Sequence, residues 1–263
     1  MMKNLFSMKG KVCLITGGSS GLGSYMARGF LEAGASRVYI TARTEEKLET
    51  TSKKLSSLSD GECIPIKSDL SEIDGVNQLS EIMHQKERHL DVLVNNAGIG
   101  LGTSIANMTT DDWDRTMDLN TRSPLFLTQG LLDLLKAKST SDKPSSIIFI
   151  SSIGASGVFP GVLAYTSSKK VLEHATPLLA LALADDFIRV NAIAPGRFIS
   201  EMTRGAWQDP DSEKYRAELK KLPLHRYGEA EDIAGVAVML CSRAGAYFHG
   251  EILNLDGGFR LKY

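Results

Sequence analysis

Seven short runs of β-branched and other apolar residues recur along the chain, and stretches of helical length separate most of them. The runs occupy residues 12–16, 37–41, 63–66, 91–94, 146–150, 189–193 and 251–255. Apolar and polar residues hardly alternate within the runs, which is typical of strands that are buried on both faces of a sheet. The pattern predicts an α/β fold in which a doubly wound, seven-stranded parallel sheet carries helices on both faces.

Helices are predicted at 22–33, where Gly34 ends the pattern, at 44–58 and at 165–186. The last of these contains LLALALA and is apolar on most of its circumference. We therefore expect it to be buried on more than one side, although a single sheet covers only one. Pro177 lies inside this helix, where a proline removes a backbone hydrogen bond.

No linker rich in Pro, Gly or Ser divides the chain, so residues 1–263 are expected to form one domain. Residues 201–224 interrupt the strand–helix alternation with polar residues, a tryptophan and two prolines. Because ligands meet such sheets at their carboxyl edge, this late segment is interpreted as a lid-like insertion. A solvated helical excursion is the alternative.

Composition narrows the function classes only a little. The 30 basic and 31 acidic residues nearly cancel, which gives no reason to expect a nucleic acid or an anionic membrane as partner. No apolar run reaches the roughly 18 residues of a membrane span, and no cluster has the spacing of metal ligands. The odd number of cysteines is typical of buried thiols in a reducing compartment. We therefore expect a cytoplasmic protein with a small-molecule ligand and no metal.

The stretch GGSSGLG (17–23) follows the first predicted strand and fits two kinds of site. Gly17, Ser19 and Gly21 match G-x-S-x-G, the turn that presents a nucleophilic serine in hydrolases. Gly17, Gly21 and Gly23 instead match a turn that brings a phosphate against a helix N-terminus. A hydrolase also needs an acid and then a histidine downstream. None of the five histidines has an evident acidic partner, so phosphate binding is favoured and the hydrolase is the alternative.

The end of the second strand distinguishes NAD from NADP in dinucleotide enzymes. An acid at that point binds the ribose hydroxyls of NAD, whereas a base meets the additional phosphate of NADP. Here the strand ends in YITAR, without an acid and with the forked cation of Arg43. This favours NADP(H), although Ser20 offers no second basic contact and Arg43 could be a plain surface residue.

Three residues suggest acid–base chemistry. Tyr165 and Lys169 are four apart at the start of a predicted helix and share one face. A phenol titrates near pH ~10, and a neighbouring ammonium lowers that pKa by stabilising the phenolate. Tyr165 is therefore predicted to be a general acid. Ser152 follows the fifth strand, where its hydroxyl can hydrogen-bond a substrate carbonyl.

Short motifs in order along nearly the whole chain resemble the main, non-extended subfamily of the short-chain dehydrogenase/reductases. The motifs are TGGSSGLG (16–23), DL (69–70), NNAG (95–98), LN (119–120), ISS (150–152), YTSSK (165–169), NAIAPG (191–196) and LDGG (255–258). The resemblance implies a Rossmann fold and hydride transfer between NAD(P)(H) and an alcohol or carbonyl. PGRFISEMT (195–203) together with Arg43 most resembles NADPH-dependent β-ketoacyl reductases, including those of rhamnolipid pathways.

The resemblance also implies roles for individual residues. Tyr165 would be the acid/base, with Lys169 binding the nicotinamide ribose and lowering the pKa of the tyrosine. Ser152 would polarise the carbonyl, and Asn120 would hold a proton-relay water. The implied coenzyme-binding residues are Gly17, Ser19, Ser20, Gly21, Leu22, Gly23, Arg43, Asp69, Leu70, Asn96, Ala97, Gly98, Tyr165, Lys169, Pro195, Gly196, Phe198 and Ser200.

The resemblance further implies a homo-oligomer, either a tetramer or a dimer, because in this family the helix of the Tyr-x-x-x-Lys motif pairs with its counterpart in another subunit. Residues expected around the substrate are mostly apolar, which favours an acyl or alicyclic ketone over a free sugar. They are Ile99, Leu101, Ile153, Ala155, Val158, Phe159, Phe198, Met202 and Trp207. The alternatives are an NAD(H)-dependent polyol or sugar-acid dehydrogenase and a catalytically silent dinucleotide-binding regulatory protein.

Overall fold

The computed structural model describes residues 4–199 and 212–262. Its sheet has seven parallel strands in the order β3-β2-β1-β4-β5-β6-β7. The strands are β1 (Val12–Thr16), β2 (Arg37–Ala42), β3 (Glu62–Lys67), β4 (Val92–Asn95), β5 (Ser145–Ile150), β6 (Ile188–Pro195) and β7 (Ile252–Leu255). Each predicted run is therefore confirmed as a strand, with bounds that differ by two residues at most.

The helices of the described ranges lie between these strands. They are α1 (Gly21–Glu32), α2 (Glu45–Ser56), α3 (Ile73–Lys86), α4 (Thr110–Met117), α5 (Ser123–Gly130), α6 (Leu132–Lys136), α7 (Leu163–Ala182), α8 (Glu213–Lys221) and α9 (Ala230–Cys241). The helix predicted at 165–186 is α7, which begins and ends earlier than the sequence indicated. It stops because a 3₁₀ turn follows and Phe187 adopts a left-handed φ of 56°, which redirects the chain into β6.

Two layers of helices cover the sheet, one on each face. Helices α1, α2 and α9 pack against one set of strand residues, which includes Ile15 and Ile148. Helices α3, α5, α6 and α7 pack against the alternate residues, which include Leu14 and Phe149. Because successive side chains of a strand point to opposite faces, both sets must be apolar. This explains why the predicted strands show so little alternation.

The strand order reverses beside β1, whose neighbours are β2 on one side and β4 on the other. Such a reversal opens a crevice at the carboxyl ends of the two central strands, where ligands of this fold bind. Thr16, the last residue of β1, joins both sides of the crevice. Its hydroxyl accepts hydrogen bonds from the backbone N–H groups of Asn96 and Ala97, each at 2.9 Å, just after β4.

The predicted lid falls partly outside the described residues, which leave out 200–211. Its remainder contains α8, which begins after Ser212, whose hydroxyl accepts a hydrogen bond of 3.1 Å from the Tyr215 backbone. Side chains of α8 pack on a small apolar cluster that includes Ile153 and Phe259. This helix therefore lies beside the loop that follows β5. None of the helices in the described ranges is both long enough and apolar enough to cross a bilayer.

Candidate active site

The turn between β1 and α1 contains glycines at positions that would not accept a side chain. Gly17 and Gly21 adopt left-handed φ values of 66° and 52°. A Cβ on Gly23 would meet the carbonyl oxygen of Gly17 and would lie 2.6 Å from Nδ2 of Asn96. The absence of these side chains lets a ligand phosphate approach the N-terminal N–H groups of α1.

A cavity of about 510 Å³ extends from this turn along the carboxyl ends of the strands. Most of the predicted coenzyme-binding residues line it, namely Gly17, Ser19, Ser20, Gly21, Leu22, Arg43, Asp69, Leu70, Asn96, Ala97, Gly98, Tyr165, Lys169, Pro195, Gly196 and Phe198. Ser152 lines it as well. Gly23 is not a lining residue, but its lack of a side chain leaves room in the turn for the Gly17 carbonyl, and Asn120 is completely buried next to the lining residues. Ser200 lies outside the described residues.

One end of this cavity is cationic. Arg43 lines it at the end of β2, as predicted, and Lys47 on the first turn of α2 lines it as well. Lys47 was not among the residues predicted from the sequence, although its spacing of four residues from Arg43 was an available signal. Partial burial would raise the pKa of Asp69, but hydrogen bonds from Ser71 and the charge of Arg43 hold that pKa below its usual range. Asp69 is therefore ionised beside the cations at neutral pH.

The other end contains Lys169, whose side chain is only 4% exposed. Its Nζ donates a hydrogen bond of 2.8 Å to the backbone carbonyl of Ile150, the last residue of β5. Burial lowers the pKa of Lys169 to about 8, so the ammonium is still the major form at neutral pH. The same atom lies 5.9 Å from the centre of the Tyr165 ring.

The pKa of Tyr165 differs from the sequence-based expectation. Burial raises this pKa, and the only group that lowers it is Ser152, through a side-chain hydrogen bond. We expected the ammonium of Lys169 to lower it. The expectation was wrong for this state of the protein because Lys169 is directed to Ile150 and the phenol is partly shielded from water.

Ser152 sits at the start of a 3₁₀ turn, Ile153–Ala155, immediately after β5. Its Oγ accepts a hydrogen bond of 3.0 Å from the Gly154 backbone N–H. This bond occupies a lone pair of the oxygen, so the hydroxyl proton is available for the hydrogen bond with Tyr165.

Asn120 is completely buried on a π-helical turn, Asp118–Arg122, between α4 and α5. Its side chain binds both backbone groups of Ile99, accepting from N–H and donating to C=O at 2.8 Å each. A second N–H donates to Ser168 at 3.0 Å. The carboxamide therefore fixes the loop after β4 against α7, and its oxygen retains one lone pair for a further donor.

The hydrolase alternative for Ser19 lacks its base. All five histidines fall within the described ranges, and none of them lines the cavity. Within those ranges, no group of three or more His, Cys, Asp and Glu side chains is arranged to hold a metal ion.

Comparison with known proteins decides the family. A family model described as enoyl-(acyl carrier protein) reductase matches residues 17–260. A rhamnolipids biosynthesis 3-oxoacyl-(acyl-carrier-protein) reductase from Pseudomonas aeruginosa is 39% identical over 261 residues, which cover 99% of this chain and 100% of the relative. The chain belongs to the short-chain dehydrogenase/reductase family. It is therefore a Rossmann-fold oxidoreductase, as the motifs predicted.

Two further similarities concern the ligand. The Pseudomonas aeruginosa RhlG/NADP active-site complex matches this reductase with a TM-score of 0.92 at 38% identity, over 98% of this chain and 99% of that chain. A 2-dehydro-3-deoxy-D-gluconate 5-dehydrogenase from Dickeya dadantii is 34% identical over 263 residues, 98% of this chain and 99% of that protein. Because these relatives differ in their named substrates, the substrate has to be argued from the residues of this reductase.

The residues of the cavity suit a dinucleotide. The glycine turn admits a diphosphate, and the cationic end suits a further phosphate. A Cβ on Gly98 would lie 3.0 Å from Oδ1 of Asn120 and 3.3 Å from Nζ of Lys169. A side chain at this position would crowd Asn120 and Lys169, so the glycine lets the backbone after β4 lie close to both.

We predict that Gly23→Ala lowers the affinity of the reductase for NADPH at least about tenfold, because the new Cβ displaces the backbone of the turn. Titration of NADPH fluorescence measures the affinity. The control is Gly235→Ala on α9, where a Cβ meets no atom within 4 Å. Equal affinities in the two variants would contradict the role assigned to the turn.

Proposed function

We propose that this reductase uses NADPH to reduce the ketone of a 3-oxoacyl thioester to a secondary alcohol. The observation that carries the proposal is one cavity with Ser152, Tyr165 and Lys169 at one end and the cations Arg43 and Lys47 at the other. The relative named as a 3-oxoacyl reductase, 39% identical over almost the whole chain, supports an acyl ketone as substrate.

The preference for NADPH follows from the charges at the cationic end. Neither Thr41 nor Ala42, which end β2, supplies the carboxylate that would bind a free ribose hydroxyl and repel a phosphate. Arg43 offers a planar fork that matches a phosphate, and Lys47 adds a point charge. The RhlG/NADP complex, 38% identical to this chain, supports the same choice.

Each polar group at the catalytic end has a role in this proposal. When bound, the coenzyme supplies the hydride. Ser152 donates a hydrogen bond to the substrate carbonyl oxygen, and Tyr165 transfers its proton to that oxygen. The Nζ atom of Lys169 lies 5.9 Å from the centre of the ring that becomes the phenolate. Asn120 holds a relay water with the free lone pair of its oxygen.

Apolar side chains on the loops that follow β4 and β5 support an acyl substrate. Ile153 and Phe198 are buried beside the catalytic end, whereas Ile105 and Val158 are 73% and 93% exposed on two neighbouring loops. A bridge between residues 103 and 162 joins these loops. Exposed apolar residues on loops whose first residues, Ile99 and Ser152, line the cavity suit an alkyl chain better than a sugar acid. Met202 and Trp207 lie outside the described residues.

We also propose that the protein is a homo-oligomer, a tetramer or a dimer. Helix α7 buries Leu172 and Ala180 against the sheet, while Val171, Leu178 and Leu181 are 37%, 57% and 81% exposed. An apolar face of this kind on a long helix suits burial against a second copy of the chain.

The proposed compartment is the cytoplasm. Cys13, Cys63 and Cys241 are all buried and unpaired. Burial raises the pKa of both Cys63 and Cys241 to about 12, which keeps them as unreactive thiols. Buried, unpaired thiols are in keeping with a reducing environment.

The central test of the reaction is Tyr165→Phe. We predict that kcat falls about 10²–10⁴-fold while NADPH binding is retained, because only the transferred proton is lost. Absorbance at 340 nm measures turnover with 3-oxoacyl thioesters, simple ketones, sugar acids and steroids. Undiminished turnover in the variant would show that Tyr165 is not the general acid.

The same substrates distinguish the alternative functions. Faster turnover of sugar acids with NAD(H) would favour a sugar-acid dehydrogenase, and no turnover by the unmodified enzyme would favour a silent binding protein.

For the coenzyme, Arg43→Ala is expected to raise KM for NADPH about 10- to 100-fold and to leave KM for NADH nearly unchanged, because a charged hydrogen bond to the additional phosphate is lost. Steady-state kinetics with both coenzymes provide the measurement. The matched control is Lys53→Ala, on α2 but 79% exposed and paired with Glu49. An equal rise for NADH would show that Arg43 does not distinguish the two coenzymes.

For the assembly, Leu181→Glu is expected to reduce the molar mass in solution to that of a smaller species, because it places a charge in the proposed contact. Light scattering coupled to size-exclusion chromatography gives the mass. The matched control is Leu58→Glu, which changes an exposed leucine just after α2. An unchanged mass in the Leu181 variant would place the contact elsewhere.

A further inference from the structure

A buried carboxylate lies behind the catalytic serine. Glu173 is on α7, one helical turn beyond Lys169 and two turns beyond Tyr165. It is only 6% exposed, and a buried carboxylate is costly unless donors surround it. The reaction proposed above gives this residue no task.

The donors to Glu173 come from both sides of Ser152. Ser151 donates to Oε1 at 3.1 Å, and Ser156 donates to Oε2 at 3.4 Å. Lys170 reaches Oε2 at 3.0 Å from the solvent side and is the charged partner of the carboxylate. One side chain of α7 therefore holds the residue before Ser152 and the residue that follows the 3₁₀ turn.

These bonds connect the two elements that carry the catalytic groups. Ser152 belongs to the loop after β5, whereas Tyr165 belongs to α7. The Ser151 hydroxyl also lies 3.3 Å from the Lys169 carbonyl, and its backbone N–H donates to Ile193 on β6 at 2.8 Å. Ser151 is thus fixed to the sheet through its backbone and to α7 through its side chain.

We propose that Glu173 is a positioning residue that holds Ser152 against the hydroxyl of Tyr165. The proposal rests on the reaction proposed above. Proton transfer depends on hydrogen-bond distances, so a displacement of about 1 Å costs on the order of 10²-fold in rate. Glu173 touches neither coenzyme nor substrate in this scheme and acts only through Ser151 and Ser156.

The test compares Glu173→Leu, which removes both acceptors, with Glu173→Gln, which keeps the oxygen for Ser151 and removes the charge. We expect Glu173→Leu to lower kcat about 10- to 100-fold with KM for NADPH unchanged within about twofold. Glu173→Gln should keep kcat within about threefold of the unmodified enzyme.

A second readout separates positioning from general loss of stability. Reduction needs protonated Tyr165, so the rate falls as pH rises through the pKa of Tyr165. The hydrogen bond with Ser152 lowers this pKa, and Nζ of Lys169 faces the ring. A displaced Ser152 should therefore move the alkaline limb of the kcat/KM profile to higher pH in Glu173→Leu and leave it in place in Glu173→Gln.

The matched control is Glu87→Leu. Glu87 is also 6% exposed and accepts hydrogen bonds from Arg37 and Tyr39, but it lies just after α3, away from the cavity. The Glu87→Leu substitution should lower the melting temperature without changing kcat or the alkaline limb of the kcat/KM profile. If Glu173→Leu does not fold, Ser151→Ala removes the same connection and should show the same lower kcat and higher pH limb.

The inference is overturned if kcat and the alkaline limb of Glu173→Leu and Ser151→Ala match those of the unmodified enzyme, or if Glu87→Leu loses kcat to the same extent. Failure of the proposed function looks different. In that case the unmodified enzyme reduces no carbonyl with NADPH, and both proposals fall together.

Discussion

The hydrogen bond from Lys169 to the carbonyl of Ile150 is the contact on which the rest of the site depends. It fastens the second turn of α7 to the last residue of β5. The strand continues directly into Ser152, and the helix carries Tyr165 one turn earlier. The lysine is buried to make this bond, which lowers its pKa to about 8 and leaves a positive charge in a shielded place. A single buried cation thus fixes the distance between the two elements.

The edge of the sheet at the carboxyl ends of its strands determines the length of the site. The reversal of strand order beside β1 opens the crevice, and the hydroxyl of Thr16 keeps its two sides in register. The cavity then runs from Arg43 and Lys47 past the glycine turn to Tyr165 and Lys169, and it is cationic at both ends. That charge distribution suits a ligand with phosphates along its length and a ring at the catalytic end. The fold alone does not specify chemistry, so the polar groups at the catalytic end carry the functional argument.

Much of this arrangement could be predicted from the sequence because the informative residues follow strands directly. Ser152, Asn96 and Arg43 each come at the end of an apolar run, and parallel strands bring such ends to one edge. Lys47 and Glu173 were missed because each lies within a helix, where a charged residue looks like ordinary solvated surface. The raised pKa of Tyr165 was also missed, since burial results from tertiary packing that a local Tyr-x-x-x-Lys pattern does not contain.

The transfer of the hydride is the most direct test of the proposed reaction. NADPH deuterated at C4 of the nicotinamide, on one face and then on the other, is supplied to the enzyme with a 3-oxoacyl thioester, and the product is analysed by mass spectrometry. We expect a 3-hydroxyacyl product that has gained one deuterium from one of the two labelled coenzymes and none from the other. A product without deuterium from either label, or no product at all, would contradict it.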